Sequence, residues 1–322
     1  MRVARSLEEA AAFEPVAVTI GNFDGVHTGH HELLREVARA AREKGLQPAV
    51  LTFDPHPASI VAPQRAARLL TTQAERCTIL AREGIEYVLV LPFTRDVAHW
   101  TPEQFVERVL VKALRARAVI VGDNFRFGHG QSGDVKVLAQ LGALYGFETR
   151  IVTPVRWRGR SVSSSEIRRA VESGKVALTA RLLGRPYATA GEVVPGHGIG
   201  SKQTVPTLNL RTHAQILPSV GVYITRTFDA ESERSWNSIT NIGYRPTFAD
   251  ASGGQELTIE TFLLDRLDPP APERIRVEFL RRVREERKFE TPEALKAQIL
   301  RDVGRAQAFF RRVTKWVRGP LE

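Results

Sequence analysis

Three of the 8 histidines in this 322-residue chain fall within one fourteen-residue stretch, Gly-Asn-Phe-Asp-Gly-Val-His-Thr-Gly-His-His-Glu-Leu-Leu, which runs from Gly21 to Leu34 directly after the apolar run Val16 to Ile20. An apolar run followed by a glycine turn and a helical pattern reads as a strand feeding a helix, and ligands bind at such carboxyl ends in parallel sheets. Gly21 and Gly25 let an anion approach the backbone, and the helix start adds free N–H groups and about half a positive charge. His27 and His30, three apart, share one side of the first turn, so both can donate to phosphate oxygens. His27 and His31 also stand at the i, i+4 spacing of some zinc sites, but no acidic or cysteine ligand is placed as in His-Glu-x-x-His. A P-loop is excluded, since no Gly-Lys-Ser/Thr follows.

Three further blocks in the first half carry polar groups at strand or helix ends. Thr-Phe-Asp-Pro-His-Pro, Thr52 to Pro57, ends an apolar run, and its prolines fix a turn able to hold Asp54 and His56 in a cleft or simply to reverse the chain. Val121 to Asp134 (VGDNFRFGHGQSGD) places Asp123 and Asn124 after another strand, with Arg126 available to an anion and Phe125 and Phe127 read as core. Val162 to Val171 (VSSSEIRRAV) joins the hydroxyls Ser163, Ser164 and Ser165 to Arg168; the serines also suit a helix N-cap.

The elements that must position these groups alternate. Strand-like runs at Val16–Ile20, Ala49–Phe53, Tyr87–Leu91, Val119–Val121 and Thr149–Thr153 are separated by helical patterns from about His31 to Lys44, Thr72 to Glu83, Pro102 to Ala113 and Val135 to Tyr145. This order predicts a parallel sheet in a Rossmann-like α/β domain. Beyond about Leu183 the runs Ala188–Val194, Thr207–Leu210, Gly221–Phe228, Trp236–Ile242, Leu257–Leu263 and Arg274–Phe279 follow one another without helices, which predicts a β-barrel. A last helix, Pro292 to Val317, has apolar residues at Leu295, Ile299, Val303, Phe309, Phe310 and Val313 to lay on it. Two domains are expected, 1–184 and 185–322.

Composition bounds the function classes. Hydrophobic and charged contents of 43% and 25% are those of folded soluble proteins. No apolar stretch is long enough for a signal peptide core or a membrane span, which implies a cytoplasmic protein with no membrane partner. Cys77 is alone, so no intramolecular disulfide is expected. The net charge of +10 comes from 38 arginines and 8 lysines spread along the chain, which resembles a general arginine bias more than a nucleic-acid patch and also suits small phosphorylated ligands; composition does not decide between the two.

In the second half, Gly184 to Leu210 carries glycines at 191, 196, 198 and 200, a pattern for a phosphate flap or for a plain glycine-rich hairpin, and then Pro206-Thr207-Leu208-Asn209. Thr207 and Asn209 offer hard oxygen atoms of the kind Mg2+ accepts. Glu260 stands amid apolar neighbours in Glu256 to Asp265, either turned to solvent or placed at the barrel mouth to accept a proton.

Taken together, the four N-terminal blocks resemble the bacterial bifunctional riboflavin kinase/FMN adenylyltransferase (FAD synthetase) family, and Gly184–Leu210, Asn241–Phe248, Glu256–Asp265 and Ile275–Phe289 resemble its kinase module. The resemblance implies an α/β nucleotidylyltransferase domain followed by a β-barrel riboflavin kinase domain with a C-terminal helix. It implies ATP and Mg2+ as requirements, with riboflavin, FMN and FAD as substrates or products. By resemblance His27, His30, Arg168 and Glu260 are catalytic, Glu260 as the base. Gly21, Phe23, Asp24, Gly25, Ser163, Ser164 and Ser165 bind the adenylyl donor, and Asp54, Asp123 and Asn124 the flavin. Gly191, Gly198, Gly200, Pro206, Thr207 and Asn209 bind the kinase nucleotide, with Thr207 and Asn209 serving the metal. The chain departs from the family pattern at Gly200–Asn209 and at Asp265–Ile275, so the rival reading is an adenylyltransferase whose barrel only binds flavin or regulates. A basic barrel that binds nucleic acid is the rival from another class; no ladder of aromatics among basic residues supports it. Transient contact with apo-flavoproteins is a further expectation, and the sequence leaves the oligomeric state open.

Overall fold

A computed structural model describes residues 1–195, 207–246 and 255–317. The chain divides into two compact units, Met1–Ser164 and Ser165–Glu322.

The first unit is built on six parallel strands: β1 (Arg2–Ala4), β2 (Val16–Ile20), β3 (Gln47–Asp54), β4 (Tyr87–Pro92), β5 (Ala118–Gly122) and β6 (Glu148–Val152), in the order β1-β4-β3-β2-β5-β6. Helices α1 (Leu7–Ala10), α2 (Thr28–Lys44), α3 (Pro57–Val61), α4 (Gln73–Arg82), α5 (Arg95–Ala98), α6 (Pro102–Phe105, continued by a π-helical turn Val106–Ala113) and α7 (Val135–Tyr145) connect them, and a small hairpin, β7 (Arg156–Trp157) and β8 (Arg160–Ser161), follows. Both faces of the sheet are covered, which is why β2 is apolar nearly throughout: Val16, Val18 and Ile20 join the core on one face and Ala17 the core on the other. The strand order reverses at β2, since β3 and β4 lie to one side and β5 and β6 to the other. A crevice opens at such a switch point, beyond the carboxyl ends of the strands.

In the second unit α8 (Ser164–Glu172, which begins on the last residue of the first) and α9 (Val176–Leu183) precede β9 (Tyr187–Val194), β10 (Thr207–Thr212), β11 (Gly221–Asp229), β12 (Ser235–Pro246), β13 (Gln255–Leu263) and β14 (Arg274–Arg284). These six antiparallel strands close into a barrel, β10-β13-β12-β11-β14-β9. Alternation sends one set of side chains inward: the buried Thr225 hydroxyl meets those of Ser238 and Thr240, each at 2.8 Å, and Thr240 meets Thr261 at 3.0 Å. The opposite set, with Val222, Ile224, Ile239 and Phe262, is covered by Ala306 and Phe310 of α10 (Pro292–Val317).

Of the basic residues between Ile275 and Phe289, Arg281, Arg287 and Lys288 are exposed, whereas Arg282 and Arg284 are partly buried and bonded. Arg284 Nε donates to Asp302 Oδ2 at 2.7 Å, and Asp302 is only 2% exposed, so this pair fixes α10 against β14. Arg282 donates to the Val220 carbonyl at 2.9 Å and lies over the Tyr223 ring. A strand that runs on to Arg284 under a helix cannot leave its alternate side chains in water.

Candidate functional site

In the first unit β3, β2 and β5 lie side by side, so the segments after Asp54, Ile20 and Gly122 share one edge of the sheet. The segment after β2 is a tight loop in which Phe23, Gly25 and Val26 have φ of 49°, 81° and 38°. Left-handed backbone at non-glycine residues persists only where neighbours over-determine it. Here they do: Phe23 and Val26 are fully buried, and Asp24, 1% exposed, accepts from the Leu70 N–H at 2.9 Å and the Thr71 N–H at 3.2 Å. The Gly25 N–H donates to Thr71 Oγ1 at 3.0 Å, and the Ser164 hydroxyl donates to the Asp24 carbonyl at 2.9 Å. Asp24 thus braces the loop, while Ser164 ties the serine block to it.

The loop delivers His27 as the N-cap of α2. His27 Nδ1 accepts from the His30 N–H at 3.3 Å, and His30 Nδ1 accepts from the His27 N–H at 3.3 Å, a capping box made by two histidines. Each ring that accepts at Nδ1 carries its proton on Nε2 when neutral, the polarity a phosphate oxygen requires. The rings stack at 3.7 Å with 12° between their planes, and Phe23 supports His30 at 4.7 Å. His31 points elsewhere, its Nδ1 pairing with Glu83 at 2.9 Å. Among the described residues no set of three His, Cys, Asp or Glu side chains is arranged to hold a metal.

Gly29 was not singled out by sequence reasoning. A Cβ there would stand 3.1 Å from His27 Cε1 and Nδ1, so a side chain at residue 29 would press on the ring and shift it by a few tenths of an ångström. Its signal was the glycine between the two histidines. Gly21 is similarly close to Phe23, at 3.2 Å.

At the end of β3, the Gln73 amide donates to Asp54 Oδ2 at 2.9 Å and accepts from Arg5 Nη1 at 3.0 Å in the orientation that satisfies both. His56 caps α3, its Nδ1 accepting from the Ala58 N–H at 3.1 Å. After β5, Asp123 and Asn124 are exposed at the sheet edge, with Asn124 Oδ1 3.3 Å from where a Gly122 Cβ would be. Phe125 and Phe127 stack at 5.4 Å and belong to the core, as expected, and Arg126 is exposed. Arg76, also missed, is 5% exposed; burial pulls its guanidinium below the ordinary value while Asp24, Cys77 and Asp54 pull it back.

Arg168 and Ser165 belong to the second unit, on α8. In the barrel, Asn209 of β10 and Asn241 of β12 are both direct partners of Glu260 on β13, so one row reads Asn209, Glu260, Asn241. Directly opposite residues project to the same side of a sheet. That side is the outer one, shared with Phe262 and α10. Thr207, two residues before Asn209, shares the side, and a Cβ at Gly243 would collide with the Glu286 carboxylate. Asn241 and Glu286 were not foreseen, because only strand register brings them here. Gly191 pairs with Thr212, and a Cβ there would collide with the Arg211 carbonyl, so its lack of a side chain permits close strand pairing. Gly196, Gly198, Gly200 and Pro206 lie outside the described residues.

A parallel sheet whose switch-point loop runs into a doubly histidine-capped helix defines the first unit as a nucleotide-binding α/β domain, and a closed antiparallel barrel with a polar row beside its terminal helix follows it. Residues 9–166 match the family model for FAD synthetase and residues 183–310 that for riboflavin kinase. The chain is 37% identical over 297 residues to the bifunctional riboflavin kinase/FMN adenylyltransferase of Escherichia coli K12, covering 92% of this chain and 93% of that one. It is 32% identical to the Haemophilus influenzae protein of that description, over 96% and 99% of the two chains. A crystal structure from Streptococcus pneumoniae, described as a macrolide-efflux protein, superimposes with a TM-score of 0.81 at 29% identity, covering 91% of this chain and 94% of that one. The chain belongs to the bifunctional riboflavin kinase/FMN adenylyltransferase family.

Proposed function

We propose that this protein makes flavin cofactors in two ATP-dependent steps at two separate sites. In the barrel unit the terminal hydroxyl of riboflavin attacks the γ-phosphorus of ATP; the new O–P bond gives FMN, and the bond to the β-phosphate breaks to release ADP. Glu260 takes the hydroxyl proton, the work of a general base. Its place between Asn209 and Asn241 supports this role, since neighbouring amides orient a carboxylate. Thr207 and Asn209 fit Mg2+ by the chemistry of their oxygen donors and by sharing one strand face, and would hold it there with the nucleotide. When bound, the ion offsets the charge of the phosphates.

In the α/β unit an FMN phosphate oxygen attacks the α-phosphorus of a second ATP, and the bond to the β-phosphate breaks to give FAD and pyrophosphate. His27 and His30 donate to the crowded phosphates, and the loop Gly21, Phe23, Asp24 and Gly25 shapes their seat. Ser163, Ser164, Ser165 and Arg168 are assigned to ATP on the sequence block alone, and Asp54, Asp123 and Asn124 to the flavin edge. Positioning and charge stabilisation supply the catalysis, with no protein nucleophile. The observation that carries this reading is the reciprocal His27–His30 cap, which fixes both rings with Nδ1 as acceptor.

The two catalytic modules divide near Gly184, one residue after the kinase family match begins. Among the described residues no helix is long and apolar enough to cross a membrane. The two-step reading sets the work in the cytoplasm, with delivery to apo-flavoproteins by transient contact as the expected fate of the product. Label tracing tests the two-step reading. Label in the γ-phosphate of ATP is expected in FMN and then in FAD, and label in the α-phosphate in FAD alone. Label from the α-phosphate in FMN would refute the assignment.

A further inference from the structure

Arg76 is a buried cation that this mechanism does not use. It lies on the first turns of α4, three residues after Gln73, so the two share a helix face: Gln73 holds Asp54 and Arg76 reaches the same strand end. Its Nη1 donates to Thr52 Oγ1 at 3.4 Å, and Thr52 Oγ1 in turn donates to the carbonyl of Asn22 at 3.2 Å, inside the loop that delivers His27. The segment before it, Leu70 and Thr71, clasps the Asp24 carboxylate of that same loop. Residues 70–76 therefore grip the loop at two points, one through Asp24 and one through Thr52.

The guanidinium is poorly satisfied for so buried a group. Among the described residues its Nε has no hydrogen-bond partner, and the side-chain bond it makes, to Thr52, is long. A buried charge with unmet donors lowers stability, and an apolar residue of similar size is often neutral or better at such a place. Lying beneath a left-handed loop that only its surroundings can hold, such a group is placed to act on the site.

We propose that Arg76 is a positioning residue for adenylyl transfer, holding the Asn22–His27 loop from below through Thr52 so that the His27 and His30 rings keep their place. The inference rests on the adenylyl-transfer reading given above.

The test uses the full chain with Arg76→Met, Arg76→Lys, Thr52→Val and the Arg76→Met/Thr52→Val double variant. FMN adenylylation and riboflavin phosphorylation are measured side by side with melting temperature. Arg76→Met is expected to keep its melting temperature and its kinase turnover while kcat for adenylyl transfer falls about 10- to 100-fold, the scale of a small misplacement of a catalytic group. The KM for ATP should move less than kcat, and Arg76→Lys should recover part of the loss. Thr52→Val should reproduce part of it, and the double variant should lose less than the product of the two single losses, because both lie on one chain of contacts. Unchanged adenylyl transfer in Arg76→Met, equal losses in both activities, or fully multiplicative losses in the double variant would overturn the proposal. If Arg76→Met does not fold, Thr52→Val decides: a loss confined to adenylyl transfer supports the proposal, and no loss overturns it. An unaltered chain that converts no FMN would overturn the functional reading and this inference with it, whereas an active unaltered chain with unaffected variants overturns the inference alone.

Discussion

Replacing Gly29 by alanine separates activity from stability at the histidine cap. The new Cβ would stand 3.1 Å from two atoms of the His27 ring, closer than side chains normally pack, so the ring must shift by a few tenths of an ångström. Two stability effects oppose each other. Alanine in place of glycine favours a helix by up to about 1 kcal/mol, and disturbing an N-cap costs about 1 kcal/mol, so the melting temperature should change little. Catalysis has no such compensation. Complete loss of a transition-state donor costs about 100- to 1000-fold, and a displaced donor retains part of its effect, so a fall of about 10- to 100-fold, or roughly 1.4 to 2.7 kcal/mol, is expected in adenylyl transfer. The assay is single-turnover conversion of FMN to FAD with saturating ATP, with riboflavin phosphorylation by the same preparation as the control. Unchanged FAD formation would refute the argument that the His27 ring is placed by the space at residue 29.

Three other outcomes follow from the same geometry. His27→Ala should raise the adenylyl-transfer barrier by about 2.7 to 4 kcal/mol and leave riboflavin phosphorylation intact, as initial rates of the two reactions will report. Glu260→Gln keeps the shape of the Asn209–Glu260–Asn241 row but removes the base, so kinase kcat should fall by about 100- to 10,000-fold while supplied FMN is still adenylylated. Arg150 and Lys44 hold the Glu148 carboxyl at about 2, below its ordinary 4.5, so the stabilisation is complete above about 4.5 and is lost as pH falls towards 2. Because Glu148 is largely solvated, the effect should stay under about 1 kcal/mol, and Arg150→Met should flatten the acid side of the unfolding profile.

Much of the fold was legible because periodicity reports burial. The run Val16–Ile20 became β2 and the pattern Val135–Tyr145 became α7 with the same bounds, and the barrel strands and the last helix were found where apolar residues recur. The start of α2 was set at about His31, whereas the helix begins at Thr28, because histidine is not a usual N-cap and the reciprocal pairing of His27 and His30 leaves no signal in propensity. The edge strand β1 escaped notice, being three residues long and mostly exposed. In the site, residue types exposed the histidine pair, yet Arg76, Asn241 and Glu286 owe their places to contacts between distant segments. Strand register decided the side on which Glu260 lies, and sequence spacing carries no such information for a barrel.

The most direct measurement is a chromatographic time course of the whole chain with riboflavin and MgATP, followed by the same chain with FMN supplied. The account predicts that riboflavin declines, FMN rises and then falls, and FAD accumulates, with supplied FMN entering at the second step. Conversion of supplied FMN with riboflavin left untouched would contradict the claim that both units are catalytic.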